Sequence, residues 1–332
     1  MRGTNYWRVQ AVAALFFVAT VIAARPVAAQ DWPSRPVTMV IPFAAGSSID
    51  VTGRILAPRL AELLGQQVII ENIAGSGGMT GAARVAKAAP DGYQFILGGT
   101  ATHAQNQTVF KAPLYDAAAD FTPVALIADT PSVLITFNGL PANNLQEFIA
   151  YAKANQANMQ FGSAGVSSAS HLACALLNAA IGVNVTHVPY RGGPAGTQDL
   201  IAGRIEYMCP LAAAALPQIE SKAVKALAIL GKNRSTIFPD VPSVREQGLN
   251  EFDASSWYAV FLPKGAPAPV VQKLHAAVVA AMDTPGVQQR LKEVGSELVA
   301  PERRSPDYLG KFIASEIERW GAAIKTANVD RE

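Results

Sequence analysis

The chain has 332 residues, half of them apolar and only 16% charged, with 27 lysines and arginines against 25 acids. So low a charge and so large an apolar fraction exclude a disordered chain, and the length suits two domains of ordinary size. The slight positive balance belongs to Arg2, Arg8 and Arg25; from residue 30 onward 24 bases face 25 acids, net −1, which leaves no basic face for nucleic acid.

Arg2 and Arg8 precede an almost wholly apolar run from Val9 to Ala24. Small residues Val27-Ala28-Ala29 follow, and then polar Gln30-Asp31. This pattern predicts a secretory signal peptide over residues 1–29, cleaved near Ala29. The run is short for a membrane span of about 20 residues; an uncleaved anchor is the alternative, and either reading exports the protein. Outside the cytoplasm ATP and NADPH are not supplied, so binding and hydrolysis are the leading kinds of function.

Past the leader, short β-rich runs alternate with helical patterns, as in a parallel sheet with crossover helices. Val37–Ile41 reads as a strand, Asp50–Leu64 as a helix closed by Gly65 and kinked or split by Pro58, and Val68–Glu71 as a second strand. Gly75–Gly78 is a loop with a helix to about Ala88, and Gln94–Gly98 is a third strand. Strands are expected at Val124–Ile127, Val133–Ile135, Asn184–Val188, Ile205–Cys209, Lys225–Leu230 and Trp257–Leu262. Helices are expected at Leu145–Ala154, from Ala169, and over 195–203. The end is helical, with Val271, Leu274, Val278, Met282 and Ile313, Ile317, Trp320, Ile324 at core-facing spacing. The strand–loop–helix grammar repeats within 128–252. We therefore expect a domain 1 of residues 30–127 plus 253–332 and an inserted domain 2 of 128–252. The lone cysteines Cys174 and Cys209 either pair or remain buried thiols.

Four loops share one design, in which a strand ends, small polar residues follow and a helix begins. They are Ala44–Asp50, Gly98–Ala104, Gly162–His171 and Pro189–Gly196. A helix N-terminus offers unpaired N–H groups and partial positive charge, and small residues let an anion approach them. For any single loop, serines as mere N-caps are the plainer reading; four such loops across two domains point to a cleft for a carboxylate. Arg191, in a glycine-rich loop beside Tyr190, is suited to bidentate grip of a carboxylate, or else is a solvated surface residue. His103 and His171 sit in or just after two of the loops, while His187 and His275 read as structural. The four histidines lack any metal spacing, so no metal site and no cofactor are expected. Ala74-Gly75-Ser76-Gly77-Gly78 loosely resembles a nucleophile elbow. A serine hydrolase built on Ser76 is the alternative function, weakened because the only late histidine, His275, lies mid-helix.

Several segments together carry a family resemblance. They include Trp32-Pro33-Ser34-Arg35-Pro36, Ile41–Gly46 with Asp50, Gly75–Gly78, Ala89–Tyr93, Gly99-Thr100 with His103 and Asn106, Ser163-Ala164-Gly165, Ser170-His171-Leu172, His187–Tyr190, Pro239–Pro242 and Ser255-Ser256-Trp257. From about Trp32 to Ile324 the chain resembles the substrate-binding proteins of tripartite tricarboxylate transporters, also called Bug receptors. The resemblance implies an α/β, two-domain periplasmic binding protein of type II, each domain a mostly parallel sheet flanked by helices, with two hinge crossings. It implies a periplasmic, monomeric receptor that holds a carboxylate between its domains and delivers it to membrane permease subunits. A ligand sensor for a signalling partner would look the same. Carried over by position, the ligand shell is Phe43, Ala44, Ser47, Ser48, Gly99, Thr100 and His103 from domain 1, with Ser163, Gly165, Ser167, Ser168, Tyr190 and Arg191 from domain 2. Two departures stand out. Ser47 replaces a second glycine common in relatives. Cys209-Pro210-Leu211-Ala212 carries no acid where relatives resembling amino-acid binders have one. A buried ammonium without a carboxylate is costly, so the expected ligand has no free amine.

Overall fold

The structure is a computed structural model and describes residues 32–326; the expected signal peptide lies outside them. Strand β1 (Val37–Ile41) is β-branched and almost wholly buried. It feeds helix α1 (Ser48–Leu64), and β2 (Val68–Asn72), α2 (Met79–Ala86) and β3 (Gln94–Gly99) follow. A π-helical turn, Ala101–Gln105, leads into the short helix α3 (Asn106–Val109) and the long strand β4 (Phe121–Thr130). Next come β5 (Val133–Thr136), α4 (Leu145–Asn155), β6 (Gln160–Ser163), α5 (Ala169–Ile181), β7 (Thr186–Pro189), α6 (Gly193–Ile201), β8 (Tyr207–Met208), α7 (Ala212–Glu220) and β9 (Lys225–Ile229). The chain ends with β10 (Ser256–Pro263), α8 (Ala268–Met282), α9 (Pro285–Glu293), β11 (Glu297–Leu298) and α10 (Pro306–Thr326).

Two sheets result. The first is ordered β11-β4-β10-β3-β1-β2 and the second β7-β6-β8-β5-β9. Pairings of β1 with β2 and β3, and of β6 with β7 and β8, are parallel. The antiparallel pairings all involve β4, β5 or β10, the strands through which the chain leaves the first sheet, enters the second and returns. Both sheets are therefore mixed, and crossover helices still connect their parallel parts. In β5, successive side chains point to opposite faces. Leu134 joins a core with Phe148, Phe161 and Tyr207, while Val133 and Ile135 join another with Leu200 and Met208. Met39, Ile41, Phe95, Leu97, Phe261 and Trp320 belong to the core of the first sheet.

Pro58 does not split α1, which runs unbroken from Ser48 to a left-handed cap at Gly65. An interior proline costs about 3 kcal/mol. Full burial of Leu56 and Leu60, at about 1.5–3 kcal/mol each, offsets it. The strand expected over 205–209 shortens to Tyr207–Met208. Cys174 on α5 and Cys209 after β8 are joined as a disulfide, Cα to Cα 5.4 Å. The two chain segments between the sheets bond to one another: Ser132 Oγ donates to the Ala254 carbonyl (3.2 Å), Leu230 N to Ser132 O (2.8 Å) and Ala254 N to Leu230 O (2.8 Å).

Candidate functional site

The loop after β1 is shaped by Asp50, in the first turn of α1. Its Oδ2 accepts from Gly46 N (2.8 Å) and Arg54 Nε (2.9 Å), and its Oδ1 accepts from Asn72 Nδ2 (2.9 Å). Asn72 also donates to the Phe43 carbonyl (3.0 Å). Burial works against the Asp50 charge, but bonds from Arg54, Gly46 and Asn72 outweigh it and hold the carboxyl below its usual range. Gly46 takes φ +81° to make the turn. Ser47 occupies the N-cap of α1, yet its side chain caps nothing; its hydroxyl is buried without a hydrogen-bond partner. Ala44 lies exposed at the tip, Phe43 is half-buried and Ser48 is buried.

The loop after β3 is drawn inward. Thr100 Oγ1 accepts from Trp257 N (2.8 Å), and Thr102 Oγ1 accepts from Gly99 N (3.1 Å). His103 is placed in the core and not at the loop surface. Its ring stacks on Phe261 at 3.8 Å, tilts against Phe121 at 4.6 Å, and its Nδ1 meets Thr102 Oγ1 at 2.8 Å. Burial lowers its pKa to about 3, so it is neutral. His103 stays tied to the loop through Thr102, which also bonds Gly99, and its Nε2 is buried without a partner among the described residues.

The loop after β6 is held by two stacked histidines. His171 and His187 lie 3.9 Å apart at 12°, with Phe161 stacked 4.8 Å beyond His187. His187 Nε2 meets Ser163 Oγ (2.7 Å), and His171 Nδ1 accepts from Ser167 N (3.1 Å). Burial, and then His187, lower the His171 pKa to about 3; burial lowers that of His187 to about 4. Ser163 Oγ donates to Gly165 O (3.0 Å), and Ser168 caps α5 by accepting from His171 N (3.2 Å). Ser168 is thus an N-cap, while Ser163, at the end of β6, braces the loop through Gly165. Ser167 differs, since it takes a left-handed φ of +63°, is fully buried, and its hydroxyl has no partner. A non-glycine residue strained in this way is a recurrent mark of functional loops.

In the fourth loop, Tyr190 donates its hydroxyl to Asp199 (2.8 Å), which also pairs with Arg204 (2.7 Å). Burial and then Asp199 push the Tyr190 pKa up to about 12, so this hydroxyl is a brace. Arg191 is exposed beside it, with no ion pair or hydrogen bond among the described residues.

The loops from the two sheets meet at Gly77. A Cβ built there would sit 3.2 Å from both Asn106 Oδ1 and Ser167 Cβ. Gly78 approaches Phe43 and Thr102 in the same way. Ser167 and Asn106 at this meeting point present an unpartnered hydroxyl and an unpartnered carboxamide oxygen, and Ser47, in the loop that carries Phe43, presents a second unpartnered hydroxyl. The sequence signal for Asn106 and Gly77 was their place in shared segments, which gave no hint of role.

A cavity of about 720 Å³ lies elsewhere, lined by residues on both sides of the crossings, among them Asp129, Lys232, Arg234, Asp253, Trp257, Glu297, Arg303, Glu316 and Arg319. No residue expected to touch ligand lines it. Its buried groups are engaged with one another. Glu316 accepts from both indoles, Trp257 (2.7 Å) and Trp320 (3.1 Å), and from Arg319 (2.6 and 2.9 Å). Arg303 grips Asp129 in bidentate fashion. His275, the late histidine a Ser76 hydrolase would need, bonds the Val124 carbonyl through Nδ1.

Residues 52–329 match the profile of the tripartite tricarboxylate transporter family receptor. The chain belongs to this family. Over 317 residues it is 38% identical to a UPF0065 protein of Agrobacterium vitis, a match covering 95% of this chain and 90% of the relative. MatC of Rhodopseudomonas palustris, solved with bound malate, superposes with a TM-score of 0.82 at 38% identity, covering 88% of this chain and all of that one. A second Rhodopseudomonas palustris protein, solved with adipate, gives 0.84 at 34% identity, covering 90% and 99%. The family is one of periplasmic substrate-binding receptors and not of enzymes, which sets aside the hydrolase reading of Ser76. Among the described residues no helix is long and apolar enough to cross a membrane.

Proposed function

We propose that this receptor is exported by its N-terminal segment, captures a small organic acid without a free amine between its two sheets, and delivers it to a tripartite permease. Domain 1 (30–127 plus 253–332) and domain 2 (128–252) hinge at the two bonded crossings. Closure is favoured because ligand contacts from both domains exist together only in the closed state.

The observation that carries this reading is the meeting of loops whose buried hydroxyls, Ser47 and Ser167, lack partners. A buried polar group without a partner is costly, and the oxygens of a carboxylate are acceptors suited to such hydroxyls. The N-terminus of α1, uncapped by Ser47, adds N–H donors and positive potential. Nearby acids offer nothing to an ammonium, since Asp50 and Asp199 are fully bonded. Ala44, Ser48, Gly165 and Ser168 complete the wall, and Phe43 flanks it. Gly99, Thr100, Ser163 and Tyr190 hold the loops in place, and Arg191 closes on the acid from solvent. Relatives with malate and adipate bound hold ligands of this chemical class.

A thermal-shift screen of residues 30–332 against mono-, di- and tricarboxylates, aromatic acids, aspartate and glutamate tests it. A true ligand at 100 times its dissociation constant adds about 2.7 kcal/mol of stability. Stabilisation by aspartate or glutamate with none by amine-free acids would overturn the reading.

A further inference from the structure

We propose that Asn106, Gly77 and Ser167 form a subsite for a hydroxyl group on the ligand, so that the preferred acid is a hydroxycarboxylate. This rests on the carboxylate reading above and specifies it.

The orientation of Asn106 is fixed by what surrounds it. Its Nδ2 donates to the Gly77 carbonyl at 3.2 Å and faces the Tyr115 hydroxyl at 3.5 Å. Tyr115 gives its own proton to the Thr102 carbonyl at 2.6 Å, so its oxygen can only accept from Asn106. Both neighbours on that side are acceptors. The amide nitrogen must face them, and Oδ1 must face the other way. There it is fully buried with no donor. A buried carboxamide oxygen needs a donor, and a carboxylate has none to give.

Ser167 completes the subsite from the other sheet. Its hydroxyl is likewise buried and unpartnered, and its left-handed backbone is pinned by the bond from its N–H to His171. A hydroxyl can both donate and accept, so one ligand hydroxyl can donate to Asn106 Oδ1 and accept from Ser167. Gly77 lies between the two side chains: a Cβ built there would stand 3.2 Å from Asn106 Oδ1 and 3.2 Å from Ser167 Cβ, at φ +57°, so only a glycine leaves the two side chains unobstructed. An amine would also donate, but it brings a charge that no free acid in these loops balances. A neutral hydroxyl suits the chemistry on both counts.

The test is calorimetric titration of matched pairs that differ by one hydroxyl: malate with succinate, 2-hydroxyglutarate with glutarate, and 2-hydroxyadipate with adipate. For the chain length bound best, the hydroxy acid is expected to bind about tenfold to a hundredfold tighter than its deoxy partner. In Ser167→Gly, which suits the left-handed backbone and is expected to fold, and in Ser167→Ala, that ratio is expected to fall to about threefold or less. The proposal is overturned if the deoxy acid binds as tightly in the wild type, which would leave the carboxylate reading standing. It is also overturned if the hydroxyl preference survives unchanged in both Ser167 variants. If no acid of any pair binds, the carboxylate reading falls with it.

Discussion

The front loops and the rear cavity are opposites in how they treat polar groups. The rear holds a cavity of about 720 Å³ rich in charge, yet none of the residues lining it leaves a buried side-chain atom unpaired among the described residues. At the front, Asp50 and Asp199 are bonded away in the scaffold and Arg191 stands exposed, while Ser47, Asn106 and Ser167 leave oxygens buried without partners among the described residues. Because proteins rarely bury polar groups unsatisfied, the oxygens of Ser47, Asn106 and Ser167 are the reason the front is proposed as the ligand site. The rear network acts as structure: it ties α10 to the start of β10 through Glu316 and Trp257, and Trp257 N holds Thr100 behind the front loops.

The largest effect expected is at α5, which runs between the two regions. Replacing both Cys174 and Cys209 with alanine frees a 35-residue span and should cost about 4 kcal/mol, read as a fall in the urea midpoint. Next is the rear. Glu316→Ala strands two buried indoles and Arg319 and should destabilise by about 3 kcal/mol while acid affinity changes less than about twofold; a large loss of affinity without loss of stability would invert the comparison. At the front, Arg191→Ala should do the reverse, weakening carboxylate binding by about 1.5–3 kcal/mol with stability unchanged, since the side chain is exposed.

The histidines give a pH signature. His103 and His171 have native pKa values lowered to about 3, against about 6.5 unfolded. The unfolded chain therefore binds more protons between these values. Stability is full above about pH 6.5 and falls by about 1.4 kcal/mol per pH unit per histidine as pH drops through the window. Urea midpoints at pH 7.5, 6.0 and 5.0 should show it, and His103→Phe, which keeps the stacking on Phe261, should make the slope shallower. The smallest effect separates site from scaffold most finely. Ser47→Ala removes a hydroxyl that bonds nothing in the protein, so stability should stay level or rise while acid affinity drops by about 1 kcal/mol.

Much of the scaffold was legible because it depends on local pattern. The β-branched run at Val37–Ile41, the Gly65 stop of α1 and the apolar stripe of α10 were all readable from spacing alone. What spacing could not give was direction and partner. Whether β10 pairs parallel or antiparallel depends on where the chain returns from, and Pro58 is tolerated because of packing around Leu56 and Leu60. In the candidate site, sequence marked the loops but not which serines are free. Ser163 and Ser168 bond their own loop, whereas Ser47 and Ser167 do not. A histidine in a polar loop reads as solvent-facing, yet the His103 ring packs on Phe121 and Phe261, aromatics outside its own loop.

The most direct measurement blocks each region in turn. Ala44→Trp fills the front from an exposed loop tip, and Ala180→Trp fills the rear from an exposed position on α5. Calorimetric titration with the best-bound carboxylate should show one site per chain in the wild type and in Ala180→Trp, none in Ala44→Trp, and the acid recovered unchanged. Binding that survives at the front-blocked variant and vanishes at the rear-blocked one would contradict the account.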